Sequence, residues 1–394
     1  MATQKIPGRA IKLGTDTAGD VMYFDGTAWQ RLPIGTAGQY LTMNEAGTVP
    51  QWGAGCTFPG AERGYVCGGW LGTTGTVIMG LPIERFSLTS DGDATDIADM
   101  ISTRRGQGGH SSQTHGYITG GATGYPQVQV NSIERFPFAS DSNSVDWADL
   151  LSTNYSNSAV CSSSTYGWNY GGHNGSSADH NVISRFSFTS QSDATDWADC
   201  SVSQHGSAGC NSPQHGYAVN AGRHANIPPN VPSGTYINNI DKFPFASQTN
   251  GSDIGDLTVL RSGGAGISSC THGYQAGGGS AGTNPNNGAP HWMRTNIDKF
   301  SFASDGNSTD HGDIMLEAGA GASGDAGVSG ETHGYHCGGI YSYNASNNTH
   351  PREQIEKFSY ASNVTATDVG DLVDSRSTGI GTHWGMDSGA GCQV

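Results

Sequence analysis

The chain has 394 residues, of which 35% are hydrophobic and only 13% are charged, and it contains 60 glycines. This balance disfavours long helices and suits many short strands joined by turns, so we expect an all-β protein with almost no helix. The net charge of −16 repels phosphate backbones and argues against a nucleic-acid partner. No apolar run is long enough to cross a bilayer and no signal-peptide segment follows Met1, so we predict synthesis in a cytoplasm and no membrane insertion.

Residues 1–55 differ from the rest of the chain and predict a small β-rich module. The stretch from Gly19 to Leu32 indicates a hairpin around Asp25-Gly26, and residues 38–52 indicate a second one. Two-stranded ribbons bury too little surface to be stable alone. We therefore expect this module to associate with partners, most simply with copies of itself.

Residues 56–394 are organised around six copies of a segment related to Ile297-Asp298-Lys299-Phe300-Ser301-Phe302. The copies begin at Ile83, Ile133, Ile183, Ile240, Ile297 and Ile355, so successive starts are 50, 50, 57, 57 and 58 residues apart. A period of this size indicates an array of one supersecondary unit.

Each unit contains four strand-length segments in a fixed order. A Gly/Ser-rich run, often after an arginine (Arg104, Arg261, Arg376), precedes His-Gly-Tyr-x-x-Gly-Gly or a variant, then the Ile segment, then Asp-x-x-Asp. Four antiparallel strands make a sheet that cannot bury both faces alone, whereas six such sheets packed radially can. Arg376 lies as far after Asp371 as Arg104 and Arg261 lie after the corresponding aspartates of their units. Residues 376–384 therefore predict a last strand that completes the first unit and closes the ring.

The unit resembles the blade of kelch-type propellers through the aromatic residue and Gly-Gly doublet of Tyr274–Gly278 and through its period. The resemblance implies a six-bladed kelch-like β-propeller preceded by the β-hairpin module. The usual tryptophan of the last strand occurs only at Trp147 and Trp197, so the resemblance extends to the architecture and not to a kelch protein's function.

A second resemblance is to bacteriophage virion and tail-fibre proteins. It is carried by Gly19–Trp29, by Leu32–Thr42, and by the His-Gly-Tyr and Ile-Asp-Lys-Phe-Ser-Phe-Ala-Ser repeats. It implies a virion protein assembled in the host cytoplasm, most simply a homotrimeric tail fibre or adhesin that attaches to other virion proteins through residues 1–55. The alternative is a purely structural part, such as a head fibre, a decoration or a tail component, that contacts only other virion proteins.

The connections between the Gly-Gly doublet and the Ile segment vary most among the copies, and antiparallel geometry places all six on one face of the ring. Aromatic platforms with Asn and Ser nearby suit stacking on sugar rings and hydrogen bonding to hydroxyls, so we expect a host-surface glycan or protein as the receptor. The alternative is that these side chains pack their own loops or a neighbouring subunit. The receptor-binding candidates are Trp70, Tyr125, His173, His224, Tyr236, His291, Trp292, Tyr341 and Tyr343.

No metal ion or cofactor is expected. The histidines of His-Gly-Tyr (His115, His215, His272, His333) recur on separate blades and would diverge, whereas zinc needs ligands that converge on one ion, so a structural role at a strand end is favoured. The turns Asp91–Asp96 and Asp305–Asp310 faintly resemble calcium loops but lack the bidentate glutamate that follows in an EF-hand.

The remaining charged and reactive residues favour structural roles. We predict that the basic residues of the Ile segments (Arg85, Arg135, Arg185, Lys242, Lys299, Lys357) pair with the repeated aspartates, and that the eight cysteines, which form no CxxC motif, are buried free thiols. No nucleophile elbow, HExxH or phosphate loop is present, and carboxylates that recur in every blade are better explained by the blade than by a glycosidase pair. We therefore expect no enzyme, with a carbohydrate-active enzyme as a third hypothesis.

Overall fold

A computed structural model of the chain describes residues 17–35, 39–43, 48–54, 62–71, 78–79, 81–123, 128–153, 158–173, 180–223, 235–281, 291–315, 326–342, 349–376 and 390–393. These residues form strands and turns only, so within them no helix could span a membrane. The chain divides into two compact units, Met1–Thr57 and Phe58–Val394.

The first unit contains the two hairpins that the sequence predicts. Its strands are β1 (Val21–Phe24), β2 (Trp29–Leu32), β3 (Gln39–Met43) and β4 (Pro50–Ala54), paired β1–β2 and β3–β4. The Asp25 carboxylate accepts hydrogen bonds from the N–H groups of Thr27 and Ala28, both at 2.8 Å, and so fixes the first turn.

In the described part of the second unit, 31 strands repeat in a fixed order. The first three groups along the chain are β5 (Arg63–Cys67), β6 (Trp70–Leu71), β7 (Ile78–Met79), β8 (Pro82–Ser87) and β9 (Thr95–Asp99); β10 (Gly108–Ser111), β11 (His115–Thr119), β12 (Ala122–Thr123), β13 (Val128–Gln129), β14 (Ser132–Pro137) and β15 (Val145–Asp149); and β16 (Ala159–Ser162), β17 (Tyr166–Tyr170), β18 (Val182–Ser187) and β19 (Thr195–Asp199).

The remaining groups follow the same order. They are β20 (Ala208–Asn211), β21 (His215–Arg223), β22 (Thr235–Pro244) and β23 (Ser252–Asp256); β24 (Ala265–Ser268), β25 (His272–Ala276), β26 (Gly279–Ala281), β27 (His291–Met293), β28 (Asn296–Ser301) and β29 (Thr309–Asp313); β30 (Ala326–Ser329), β31 (His333–Cys337), β32 (Ile340–Ser342), β33 (Thr349–Ser359) and β34 (Thr367–Arg376); and lastly β35 (Ala390–Gln393).

Six antiparallel sheets form the blades of a β-propeller, which confirms the predicted fold. We name the four main strands of each blade a to d from the innermost to the outermost. They are β35-β5-β8-β9 in blade 1, β10-β11-β14-β15 in blade 2, β16-β17-β18-β19 in blade 3, β20-β21-β22-β23 in blade 4, β24-β25-β28-β29 in blade 5 and β30-β31-β33-β34 in blade 6. Neighbouring a strands contact one another around the ring, and β35 contacts both β30 and β10.

The C-terminal strand closes the ring, as predicted, but it lies further along the chain than the sequence suggested. Strand β35 pairs with β5 so that Ala390 faces Cys67 and Gln393 faces Gly64. Arg376, the predicted start of the closing strand, instead ends β34 and faces Arg352. The connection from strand d is longer in blade 6 than in the other blades, so spacing alone placed the strand too early.

The Gly/Ser-rich composition of the a strands follows from how closely they approach one another. A Cβ atom on Gly209 would lie 1.9 Å from the Val160 carbonyl oxygen, so no larger residue fits there. Polar side chains at the last position of the strand then link the blades in sequence: Ser111 N–H donates to Ser162 Oγ, and Ser162 N–H donates to Asn211 Oδ1. The series continues from Asn211 to Ser268 and from Ser268 to Ser329.

Aromatic stacking fills the seams between blades. The ring of the His-Gly-Tyr segment in strand b stacks on the last aromatic residue of the Ile segment in the following blade, with centroids 4.6 Å apart for Tyr117–Phe188 and 4.2 Å for Trp168–Phe245. The same stack recurs in Tyr65–Phe138, Tyr217–Phe302 and Tyr274–Tyr360. These pairs explain the period-2 aromatic pattern that the sequence shows.

The Asp-x-x-Asp segment is strand d, and its second aspartate joins one blade to the next through the main chain. The Asp99 N–H donates to Asn143 Oδ1 (3.0 Å), and the Asp99 carbonyl accepts from the Ser144 N–H (2.9 Å). Asp371 of blade 6 repeats both bonds with Asp93 Oδ1 (3.2 Å) and the Ala94 N–H (2.8 Å) of blade 1. The closing seam is therefore built like the others.

The prediction that the basic residues of the Ile segments pair with repeated aspartates is confirmed for three of the six, although these partners belong to the c–d turns and not to the Asp-x-x-Asp segments. Their carboxylate partners lie in the c–d turn of the following blade: Arg85 with Asp141, Lys242 with Asp305 and Lys357 with Asp91, each at 2.5 Å. Where that turn position is Gln191, Gln248 or Asn363, the cation lies over an aromatic ring instead. Those contacts are Arg135 over Trp147, Arg185 over Trp197 and Lys299 over Tyr274.

The cysteines follow the prediction only in part. Cys67, Cys161, Cys200, Cys210 and Cys337 are buried free thiols. Cys270 is disulfide-bonded, which corrects the expectation for that residue. The Sγ of Cys161 donates to the carbonyls of Cys210 and Tyr217 in the next blade, and burial raises the pKa of this thiol.

Candidate binding surface

The b–c connections extend from one face of the propeller as hairpins, and we call this face the loop face. Short strand pairs continue the connection in blades 1, 2, 5 and 6: β6–β7, β12–β13, β26–β27 and β32–β33. In blade 4, β21 and β22 themselves extend to the pair Arg223–Thr235. The a–b and c–d turns lie at the opposite ends of the same strands, and we call that side the turn face.

A buried ion pair holds the base of the blade 2 hairpin. Arg104 and Glu134 are each 1% exposed and are bonded to each other. The Arg104 guanidinium also donates to the Gly120 carbonyl (3.1 Å) and to Ser132 Oγ (3.0 Å), which mark the two ends of the b–c connection. Burial lowers the pKa of Arg104, and the Glu134 charge opposes that shift. Because the guanidinium contacts both ends of the connection, it fixes the base of the hairpin.

Blade 5 uses the same arrangement, and blade 6 uses a related buried pair in which the arginine, Arg352, lies on strand c itself, four residues before Glu356. Arg261 contacts Asp298 at 3.0 Å and donates to the carbonyls of Asn296 and Gln275. Burial lowers the pKa of Arg261 to about 10. In blade 6, burial alone would raise the pKa of Glu356, but hydrogen bonds and charges from His336 and Arg352 hold it below the ordinary value.

Blade 4 replaces the arginine with a tyrosine of the preceding blade. Gln204 stands where Arg104 and Arg261 stand in their units. The buried Asp241 carboxylate instead accepts hydrogen bonds from Tyr170 (2.5 Å) and from the Asn239 side chain (2.7 Å). Burial raises the pKa of Asp241 and outweighs the hydrogen bonds from Ser201, Tyr170 and Asn239, which lower it.

The acid of the Ile segment is thus the central residue of the hairpin base in blades 2, 4, 5 and 6, a role that we did not predict from the sequence. It also binds the preceding blade: Glu134 accepts from the Ile101 N–H (2.9 Å) and Glu84 from the Val373 N–H (2.9 Å). Its signal was available, since an acid occurs at this position in five of the six copies, the exception being Ser184.

The structure describes the side chains of only two of the nine receptor-binding candidates. His173 is 9% exposed and its ring lies 5.1 Å from that of His205, while Tyr236 is 8% exposed on β22. These two side chains have little surface to offer a ligand. The backbones of Trp70, His291, Trp292 and Tyr341 lie in the hairpin strands β6, β27 and β32, with side chains outside the described part, and Tyr125, His224 and Tyr343 lie outside the described residues altogether.

The histidines of His-Gly-Tyr lie at the first position of strand b on the turn face. Nδ1 of His115, His272 and His333 is hydrogen-bonded to the hydroxyl of the preceding threonine at 2.8–2.9 Å. Burial lowers the pKa of His272 to about 4, and Lys299 adds to the shift. Among the described residues no group of three or more His, Cys, Asp or Glu side chains could hold a metal ion.

The chain matches no protein-family model and no curated protein. Two features of the chain itself bear on its function. One is a scaffold of repeated blades joined by recurring contacts, and the other is the set of b–c connections that differ among the blades on the loop face.

Proposed function

We propose that the protein is a non-enzymatic adhesion protein of a bacteriophage virion, most simply a tail fibre, whose loop face binds a glycan or protein of the host surface. Its partners would be other copies of the chain, in a trimer, and other virion proteins through residues 1–55. The phage assignment and the trimer rest on the resemblance of residues 19–42 and of the repeats to virion proteins.

The observation that carries the binding role is the contrast between the seams and the hairpins. Stacked aromatic pairs, main-chain bonds of strand d and carboxylate bonds recur from seam to seam. The b–c connections, by contrast, differ in length and sequence from blade to blade. A scaffold that fixes both ends of each connection and leaves its tip variable is the arrangement by which recognition loops are usually presented.

Several weak sites on one face would act together. If the chain oligomerises, each particle presents many copies of the loop face, and avidity raises the apparent affinity without one deep pocket. This accords with the polar, Asn- and Ser-containing sequences of the connections, which suit sugar hydroxyls.

The experiment is to measure binding of the purified full chain to a glycan array and to a panel of bacterial strains, with Trp292→Ala as the loop-face variant. Val364→Ala, in an exposed c–d turn of the turn face, is the matched control. We expect Trp292→Ala to weaken binding while its circular dichroism spectrum stays unchanged, and the control to bind like the wild type.

Two outcomes would refute the adhesin role. Absence of binding to any strain or glycan, together with tight binding to another virion protein, would favour the purely structural virion component. Depolymerisation of a bound polysaccharide that is lost on changing one Asp or Glu would show an enzyme.

A further inference from the structure

The turn face carries a polar groove at the place where the ring closes. One cleft of about 460 Å³ lies between Glu62, Arg63 and the c–d turn of blade 1. A second cleft of about 330 Å³ lies between that turn and the a–b turn of blade 6. The two clefts meet at Thr89, which lines both.

The groove lies at the one blade without an a–b turn. In the other five blades a four-residue turn joins strands a and b, closed by a main-chain bond such as Ser112 N–H to the His115 carbonyl (2.9 Å). In blade 1 strand a is the C-terminal β35, so no turn links it to β5. The Leu88 N–H donates to the Glu62 carbonyl, as the Phe138 N–H donates to the Thr114 carbonyl in blade 2, so Glu62 and Arg63 occupy the places of Thr114 and His115.

Glu62 and Arg63 depart from what the blade requires. The corresponding pairs in the other blades are Thr114-His115, Thr165-Tyr166, Gln214-His215, Thr271-His272 and Thr332-His333. None of these pairs contains an acid or a guanidinium. Residues shared by all blades are explained by the fold, whereas an exposed charged pair present in one blade only, and lining a cleft, needs another explanation.

The lining determines what the groove can hold. Its acids are Glu62, Asp91, Asp93 and Glu331 and its cations are Arg63, Arg85 and Lys357, so four negative charges face three positive ones and neither sign of ion is strongly favoured. The rings of Phe86 and Tyr335 are only 4% and 3% exposed, and the half-buried His333 imidazole is hydrogen-bonded to the Thr332 hydroxyl at 2.9 Å, so the described lining offers no apolar aromatic platform. The remaining lining is rich in hydroxyls, from Ser87, Thr89, Thr95 and Thr332.

From this geometry we propose that the groove is a second recognition site, which binds a short, uncharged saccharide. Sugar hydroxyls both donate and accept hydrogen bonds, so they match a wall that carries both carboxylates and cationic donors. The volume is within the range of small-ligand sites. The site does not depend on the loop face, since the two lie on opposite faces of the propeller.

The test uses the full chain and saturation-transfer NMR with methyl glycosides of neutral hexoses and N-acetylhexosamines, and with methyl glucuronide as the anionic member. The decisive variant is Glu62→Thr/Arg63→His, which installs the pair that blades 2, 5 and 6 already carry and so should fold. We expect neutral glycosides to bind the wild type at millimolar concentrations and the variant to lose at least about tenfold in affinity, since charged hydrogen bonds are removed. Glu62→Gln, which changes only the charge, should lose affinity in the same direction.

Three results would overturn the proposal: no neutral glycoside binds, the double variant binds as well as the wild type, or the glucuronide binds better than the neutral sugars. Trp292→Ala separates this site from the loop face. It should leave glycoside binding in the groove unchanged, so a loss of cell adsorption in that variant reports on the proposed adhesin role alone.

Discussion

Removing Arg104 should destabilise the propeller far more than removing an equally charged surface residue. In Arg104→Met the Glu134 carboxylate, 1% exposed, loses its counter-ion but keeps the Ile101 N–H (2.9 Å) and Ser144 Oγ (2.5 Å) as donors. Breaking a buried pair from one side costs about 3–5 kcal/mol, and the two remaining donors place the expected loss near the lower end, about 3 kcal/mol.

The assay is urea unfolding followed by near-ultraviolet circular dichroism. Arg85→Met is the control, because the Asp141 side chain with which Arg85 pairs is 51% exposed, and such pairs contribute about 0–1 kcal/mol. The double variant Arg104→Met/Glu134→Gln leaves no uncompensated charge. The loss in unfolding free energy caused by Arg104→Met should therefore be at least about 1.5 kcal/mol smaller in the Glu134→Gln background than in the wild type. Equal losses in the two backgrounds, or equal losses for Arg104 and Arg85, would refute the reasoning.

Three further predictions concern the ring itself. Deleting residues 390–394 should expose the edge of β5, so we expect aggregation in light scattering or a large fall in the unfolding temperature in calorimetry. A truncated chain that stays monomeric and unfolds at the same temperature as the full chain would contradict closure by β35. Gly209→Ala places a Cβ atom 1.9 Å from the Val160 carbonyl oxygen and should lower the unfolding midpoint, whereas an unchanged midpoint would show that the a strands lie further apart. Burial lowers the pKa of His110 from 6.5 to about 4, so the folded state disfavours protonation of this residue, and the stability of the protein should fall as the pH drops from 6.5 towards 4. His110→Ile introduces the residue found at this position in β24 and should flatten that part of an acid-unfolding profile. An unaltered profile would rule out His110 as the cause.

Much of the fold could be predicted because each structural feature of a blade has a signal that recurs in the sequence. The recurring Ile segments gave the number of blades, the Phe-x-Phe alternation gave strand c, and the Gly-Gly doublet marked the end of strand b. The closing strand was misplaced because spacing was used where composition was the better guide: Ala390-Gly391-Cys392-Gln393 resembles Ala208-Gly209-Cys210-Asn211.

The charged network was harder to predict because its partners lie in neighbouring blades. Arg85 and Asp141 are 56 residues apart, and local sequence cannot say whether a base meets the aspartate of its own strand d or the turn of the next blade. Blade 4 has Gln204 where blades 2 and 5 have arginine, and the structure explains this difference because Tyr170 of blade 3 donates a hydrogen bond to Asp241 in its place. For the loop face the repeats carry no information, since the recognition candidates occupy the positions where the copies differ.

We propose that the divergent b–c connections carry adsorption to the host surface, whereas the blades hold these connections in place. The most direct measurement is adsorption of a chain in which all six connections are replaced by Asn-Gly turns, with its fold checked by circular dichroism, to the strain that the wild-type chain binds. The account predicts a folded propeller that no longer adsorbs. A folded, trimmed propeller that adsorbs as well as the wild type would contradict it.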